Sequence, residues 1–422
     1  MFFLPNFCGI SKKISNPLYL QRIINSESAA SDYFGYSVSI SLDGNTLAIG
    51  AFYRDETNLT NVGAVYIYTK ANGLWSQEAK IIPTGSVAED HIGYAVSVSG
   101  DGTRVAFSAP DADNGAALSN AGAIYVYVKS VSTWTQEYKY VASANNILGW
   151  HLAINEDGSK IIAGAPYADY SSYIDIGSAY FFSRTNSTWS LVTTLTPSTD
   201  PTSYDYGGKK VAISGDGNTA VFCVEGDDYF NGNPSYYDTG AAFVFVRNTS
   251  TGAWSQQAKL TASDYALNDM FGEGGASLSY DGNTLAVTSR RDSNSNGGGA
   301  GSVYVYTRSG TAWTQTTRLQ SSDGIANDNF GVSTSLNRDG TVLAVGSFGS
   351  DINGLVNTGA VYIFKKISGT WTQINKIWSP VPAAGELMGY RVALASYSND
   401  LVISEVYSSS NRGSVYMYKL NI

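Results

Sequence analysis

The chain has 422 residues, only 14% of them charged, with a formal net charge of −9. An acidic chain without a basic run is a poor partner for nucleic acid, and no stretch has the apolar length of a membrane-spanning helix. Its two cysteines, Cys8 and Cys223, lack metal-ligand spacing and say little about redox compartment.

In chain order, residues 1–17 form an arm. Met1 to Ile10 is apolar but has neither a basic start nor a long unbroken core, so it is no clear signal peptide. It reads as a frayed terminus or as an apolar arm that docks through Phe2, Phe3, Leu4 and Phe7. Leu18 to Ile24 then reads as a strand.

From Phe34 a repeat begins. Phe34-Gly35 opens a stretch that runs to Gly50-Ala51, and a second signature follows at Gly63-Ala64-Val65-Tyr66-Ile67-Tyr68. Both recur to the end of the chain. The opening glycines are Gly35, Gly93, Gly149, Gly207, Gly272, Gly331 and Gly389, separated by 58, 56, 58, 65, 59 and 58 positions. A Trp follows the second signature in six units, as at Trp75, Trp134 and Trp189.

Each unit reads as four short strands. Ser37 to Leu42 alternates and meets Asp43-Gly44, a hairpin signal. Thr46 to Gly50 is continuously apolar, as expected of a strand covered on both faces. After a polar loop, Ala64 to Thr69 alternates with period two, placing Tyr66 and Tyr68 on one face and Val65 and Ile67 on the other. Trp75 to Ile82 is the fourth strand. No stretch has a capped helical period.

Seven such units predict an all-β fold, a seven-bladed β-propeller of four-stranded antiparallel blades. An open solenoid would need capping repeats. The seventh unit ends after its third strand, Ser414 to Leu420, and Leu18 to Ile24 aligns with the fourth strand of the first unit. The amino-terminal strand is thus expected to complete blade seven and close the ring. Residues 18–422 then form a single domain.

The repeat resembles the FG-GAP family, whose propellers include the integrin α-subunit head. Phe34-Gly35, Phe271-Gly272 and Phe330-Gly331 carry the first half of that motif, and Gly164-Ala165-Pro166 the second. The resemblance implies a recognition or scaffold module on a cell or virion surface. Integrin-type calcium loops of Asp-x-Asp-x-Asp-Gly form are absent, because each hairpin, such as Leu42-Asp43-Gly44-Asn45, offers one carboxylate, too few oxygens for Ca²⁺. No cofactor is expected from those loops.

Two sets of acids are predicted on the face that carries the long loops. Asp32, Asp90, Asp269 and Asp328 precede the repeat opening, and Glu386 stands at the same place in unit seven. Asp55, Asp113, Asp169, Asp228, Asp292 and Asp351 begin the loops between second and third strands. Such acids serve turns; as a converging set they form a negative face that could hold Ca²⁺ or draw a basic partner. Off-pattern aromatics Trp150, Tyr167, Tyr170, Tyr173, Tyr229, Phe230, Tyr236 and Tyr237 suit contacts to protein or glycan.

For catalysis, His91 and His151 are the only histidines, and no Gly-x-Ser-x-Gly elbow, Walker loop or dinucleotide fingerprint occurs. The chain is therefore expected not to be an enzyme. The expected function is surface recognition or adhesion, binding protein or glycan through the long-loop face. The alternatives are a structural part of a larger extracellular or virion assembly, held by neighbouring subunits, and a polysaccharide hydrolase or lyase using an acid pair.

Overall fold

The four strands of the first repeat form as Ser37–Ile40, Thr46–Ala51, Ala64–Ala71 and Leu74–Ile81, hydrogen-bonded in that order. The computed structural model describes residues 16–113, 120–131, 133–197, 202–228 and 238–422. Six more four-stranded antiparallel sheets repeat this order, completing a seven-bladed propeller. In blade seven the outermost strand is Leu18–Ile23, paired with Ser414–Lys419 so that Ile23 faces Val415 and Leu18 faces Lys419. The ring is closed by joining the two ends of the chain. One departure from the all-strand reading is a short turn at Ser408–Asn411, where Ser409 and Ser410 take positive φ.

The two signatures of the repeat form one packing unit. Phe34 is fully buried and meets Tyr66 and Tyr68 edge-on, at ring-centroid distances of 5.5 and 6.2 Å. Phe271 does the same with Tyr304 and Tyr306, and Phe330 with Tyr362 and Phe364. This is the favoured arrangement of two aromatic quadrupoles. The aromatic face of each blade packs toward the preceding blade: Tyr66 and Tyr68 share a core with Val402, Val415 and Met417 of blade seven. The opposite face of blade one presents Ala48, Val65 and Ile67 to Phe107, Tyr125 and Tyr127 of blade two. Large rings against small aliphatic groups fill this interface, as close packing requires.

Around the axis, on the face of the tight hairpins, backbone bonds link blade to blade. Leu42 N–H donates to Gly100 O (3.0 Å), Gly100 N–H to Glu156 O (2.7 Å), and Glu156 N–H to Gly215 O (3.1 Å). Asp216 donates to Tyr280 O, Tyr280 to Arg338 O, and Tyr397 to Leu42 O. Arg338 N–H completes the circle through Ser396 Oγ at 2.8 Å. These groups sit at strand ends, where the blades' own ladders leave them unpaired.

At the rim the recurring Trp staples neighbouring outer strands. Trp134 Nε1–H donates to Glu78 (3.1 Å), Trp189 to Glu137 (2.9 Å) and Trp313 to Gln257 (2.9 Å). Each acceptor lies three residues after the preceding blade's Trp. By that register Trp254 would meet Val192, which has no acceptor and is 49% exposed. The Trp254 Nε1 is buried without a hydrogen-bond partner among the described residues. Val192→Glu should supply one and raise stability by about 1 kcal/mol, read as a higher denaturation midpoint. An unchanged or lower midpoint would show that the indole is not short of a partner.

Blade four corrects the sequence register by one residue. Gly208, not Gly207, opens this repeat: its φ of 94° matches 85° at Gly93, and its N–H donates to Cys223 O as Gly93 N–H does to Ser108 O. Gly207 occupies the slot filled elsewhere by Phe34, Ile92 or Phe330. The ring of Phe222 fills the missing side chain's place, because a Cβ on Gly207 would collide with it. The acid of unit four is therefore Asp205, standing where Asp32 and Asp90 stand in theirs.

Candidate functional site

Each opening glycine takes positive φ, which a side chain would strain. The turn delivers the next residue to the axis on the long-loop face. Those residues are Tyr36, Tyr94, Trp150, Lys209, Glu273, Val332 and Tyr390, and they line a cavity of about 430 Å³. Phe348, Arg290 and Glu225 join them just after second strands, and His151, Lys210 and Arg391 from one position further on. That volume suits a small ligand.

One wall is aromatic. Tyr390, Tyr36, Tyr94 and Trp150 follow one another with centroid separations of 5.6, 5.1 and 5.2 Å. Arg391 lies over Tyr390 (4.5 Å) and Tyr36 (5.6 Å). Burial first, then neighbouring phenols, raises the Tyr36 hydroxyl far above its ordinary pKa, so it stays a neutral donor.

The facing wall is charged. Lys209 pairs with Glu225 at 2.5 Å, and Glu273 pairs with Arg290 and Arg291. With Arg391 from the aromatic side, three cations, Lys209, Arg290 and Arg391, line the pocket against two carboxylates, Glu225 and Glu273, before Lys210 is counted. The pocket is cationic within an acidic protein. Arg391 and Lys210 make no ion pair among the described residues. Burial, then the cations Lys210 and Arg391, holds the His151 imidazole well below its ordinary pKa and neutral.

None of the acids singled out in the sequence lines this pocket. The loop acids clamp their own loops. Asp55 accepts the N–H of Asn61 (2.8 Å), Asp113 that of Asn120 (2.9 Å), Asp169 that of Asp175 (2.9 Å), Asp228 that of Asp238 (2.9 Å) and Asp351 that of Asn357 (2.8 Å). Asp292 sits one position earlier in its loop, is buried, accepts the Ser302 hydroxyl at 2.5 Å and pairs with Arg318.

The other set closes turns three residues back. Asp32 binds Ala29 N–H (2.7 Å), Asp90 binds Val87 (2.9 Å), Asp269 binds Ala266 (2.6 Å) and Asp328 binds Ile325 (3.1 Å). All four are buried, and burial raises each carboxyl pKa, to about 6 at Asp269. Among the described residues no group of three or more His, Cys, Asp or Glu is arranged to hold a metal.

Tyr170 and Tyr173 exchange backbone bonds of 3.1 and 3.0 Å across a tight loop. The same loop recurs at Glu56 and Leu59 and at Ile352 and Leu355, so it belongs to the repeat. Tyr170 is exposed on it. Tyr229, Tyr236 and Tyr237, like Cys8 and the arm up to residue 15, lie outside the described residues. Cys223 is a buried free thiol whose pKa burial pushes up to about 12.

The architecture is thus a closed propeller with one mouth of its axis built as an aromatic and cationic pocket. The FG-GAP repeat pattern matches residues 20–68, 75–127, 254–306 and 313–364. With the seven-bladed fold, these matches place the chain in the FG-GAP repeat family. No curated protein matches it in sequence.

Among solved structures, the chain is similar to a periplasmic gluconolactonase of Pseudomonas aeruginosa, at TM-score 0.53 and 16% identity, covering 82% of this chain and 86% of that one. It is also similar to a protein from Lactobacillus plantarum, at TM-score 0.52 and 13% identity, covering 83% and 86%. At such identities the likeness concerns fold alone. It still corrects one expectation: a gluconolactonase is an enzyme on this fold, so the reading of the chain as not an enzyme does not stand. No helix among the described residues is long and apolar enough to cross a membrane.

Proposed function

We propose that this propeller recognises acidic glycans, taking a uronate-type sugar into the axial pocket at a cell or virion surface. The observation that carries the reading is the division of the pocket into an aromatic wall and a cationic one. Tyr36, Tyr94 and Trp150 line one side of the pocket, an aromatic surface suited to the C–H face of a pyranose. Arg391, free of any carboxylate among the described residues, offers a planar fork matched to a sugar carboxylate. Glu225 and Glu273 accept from sugar hydroxyls while remaining paired with Lys209 and Arg290.

Titration calorimetry with oligogalacturonate or oligoglucuronate tests this. Arg391→Ala and Tyr94→Ala should each weaken binding about tenfold or more, roughly 1.4 kcal/mol. Methyl esterification of the uronates should cost at least as much as Arg391→Ala. Equal binding of acidic and esterified chains, or none to either, would overturn the reading.

A further inference from the structure

We propose that Lys210 is a carbonyl-reactive amine of the axial pocket, poised to form an imine with an aldehyde- or keto-bearing anionic ligand. The proposal rests on the axial pocket being the ligand site, and adds to it a chemical step.

Lys210 begins the first strand of blade four, Lys210–Ile213, where it pairs with Cys223 and its side chain enters the pocket. The groups facing it come from several blades. His151 of blade three is neutral. Arg391 of blade seven and Arg290 of blade five are cations. The carboxylates within reach of its field, Glu225 and Glu273, are already held by Lys209 and by Arg290 with Arg291. Cys223 behind it is a protonated thiol. The phenols of Tyr36 and Tyr94, their pKa values raised chiefly by desolvation, also stay neutral. No carboxylate contacts the Lys210 ammonium among the described residues. Burial, and then the charge of Arg391, brings its pKa down from 10.5 to about 7. A large fraction of the side chain is then a free amine with its lone pair available at neutral pH.

The step balances without an added reagent. The amine lone pair forms a C–N bond as the carbonyl π bond opens to a carbinolamine. The carbonyl oxygen then takes both amine protons and departs as water, leaving the imine. The surrounding cations favour a carbonyl compound that also carries a carboxylate.

Glyoxylate with cyanoborohydride is the test on the full chain, with acetaldehyde as the uncharged control and peptide mapping by mass spectrometry as the readout. At pH 7.5 Lys210 should be carboxymethylated at least tenfold faster than any other lysine, and its preference for glyoxylate over acetaldehyde should fall in Arg391→Gln. Its advantage over ordinary lysines should be largest near neutral pH and shrink as pH rises toward about 10, where they too lose their protons. Lys210→Arg should remove the fast site alone. Labelling of Lys210 at the pace of surface lysines, or with their pH profile, would overturn the proposal. Fast labelling without uronate binding would sink the glycan reading alone, and uronate binding with slow labelling would sink this one alone.

Discussion

Deleting residues 1–23 should open the ring and cost on the order of 5 kcal/mol, with deletion of 1–15 as the control that leaves the closing strand in place. Three losses add up. The outer strand of blade seven disappears, exposing the backbone of Ser414–Lys419 that it now pairs. The buried side chain of Ile23 leaves the core it shares with Phe34 and Val415, worth roughly 2 kcal/mol. Arg22, whose guanidinium lies 3.2 Å from Glu405, also goes, and Glu405 is fully buried. Burial already lifts the Glu405 pKa to about 7 with Arg22 present, so the orphaned carboxyl takes up a proton rather than stay charged.

Blade seven would also lose its rim contact with blade one. Gln21 both donates to Trp75 O (3.1 Å) and accepts from Trp75 N–H (2.9 Å). Denaturant unfolding reads the loss, and size-exclusion chromatography reads chains that recruit a neighbour's strand. A peptide of residues 16–24 added in trans should restore part of the midpoint. Equal midpoints for the two deletions would show that the ring holds without its closing strand.

The fold was legible because repetition exposes what packing demands. The Phe-Gly pair and the alternating tyrosines recur together since they are one contact, Phe34 against Tyr66 and Tyr68. The missing strand at one end and the surplus strand at the other gave the closure. The register of blade four departs from its sequence pattern for a physical reason: with Tyr206 before two glycines, the sequence offers a false apolar-Gly pair. Phe222, on the second strand of the same blade, supplies the bulk that makes the true one work.

The pocket was harder to see for the opposite reason. It is built at a repeat position where the residue type changes from blade to blade: Tyr36, Tyr94, Trp150, Lys209, Glu273, Val332, Tyr390. A reading that follows what recurs passes over most of what varies; of these seven only Trp150 stands out in the sequence, as an aromatic off the repeat pattern. The acids recur because most units clamp this loop with one, as Asp55, Asp169 and Asp351 show with the same bond at the same place. The signal that could have found the site was the residue after each opening glycine, once the positive φ there is taken to turn that residue toward the axis.

Gly164→Ala should destabilise the protein by about 3 kcal/mol or more and disturb the pocket together with the fold. Gly164 lies on the second strand of blade three, Lys160–Ala165, and a Cβ there would overlap the carbonyl oxygen of Gly208 in blade four. Its own backbone has little freedom to retreat, because Gly164 N–H donates to His151 O (2.9 Å) and Gly164 O accepts from Gly149 N–H (2.8 Å). The blade-four turn would have to move, carrying Lys209 and Lys210 with it. Fast carbonyl labelling of Lys210 should therefore fall alongside stability.

Gly73→Ala separates this effect from backbone strain. Gly73 has φ of 81° but no neighbour within 4 Å of an added Cβ, so it should cost only about 1 kcal/mol. In four blades the place of Gly164 is held by Ser108, Cys223, Thr288 and Ser404, each facing the next opening glycine. If the interface between blades three and four can open as those have, Gly164→Ala will cost no more than Gly73→Ala. A large difference between the two means that each blade interface has its own fixed spacing, set where two backbones touch.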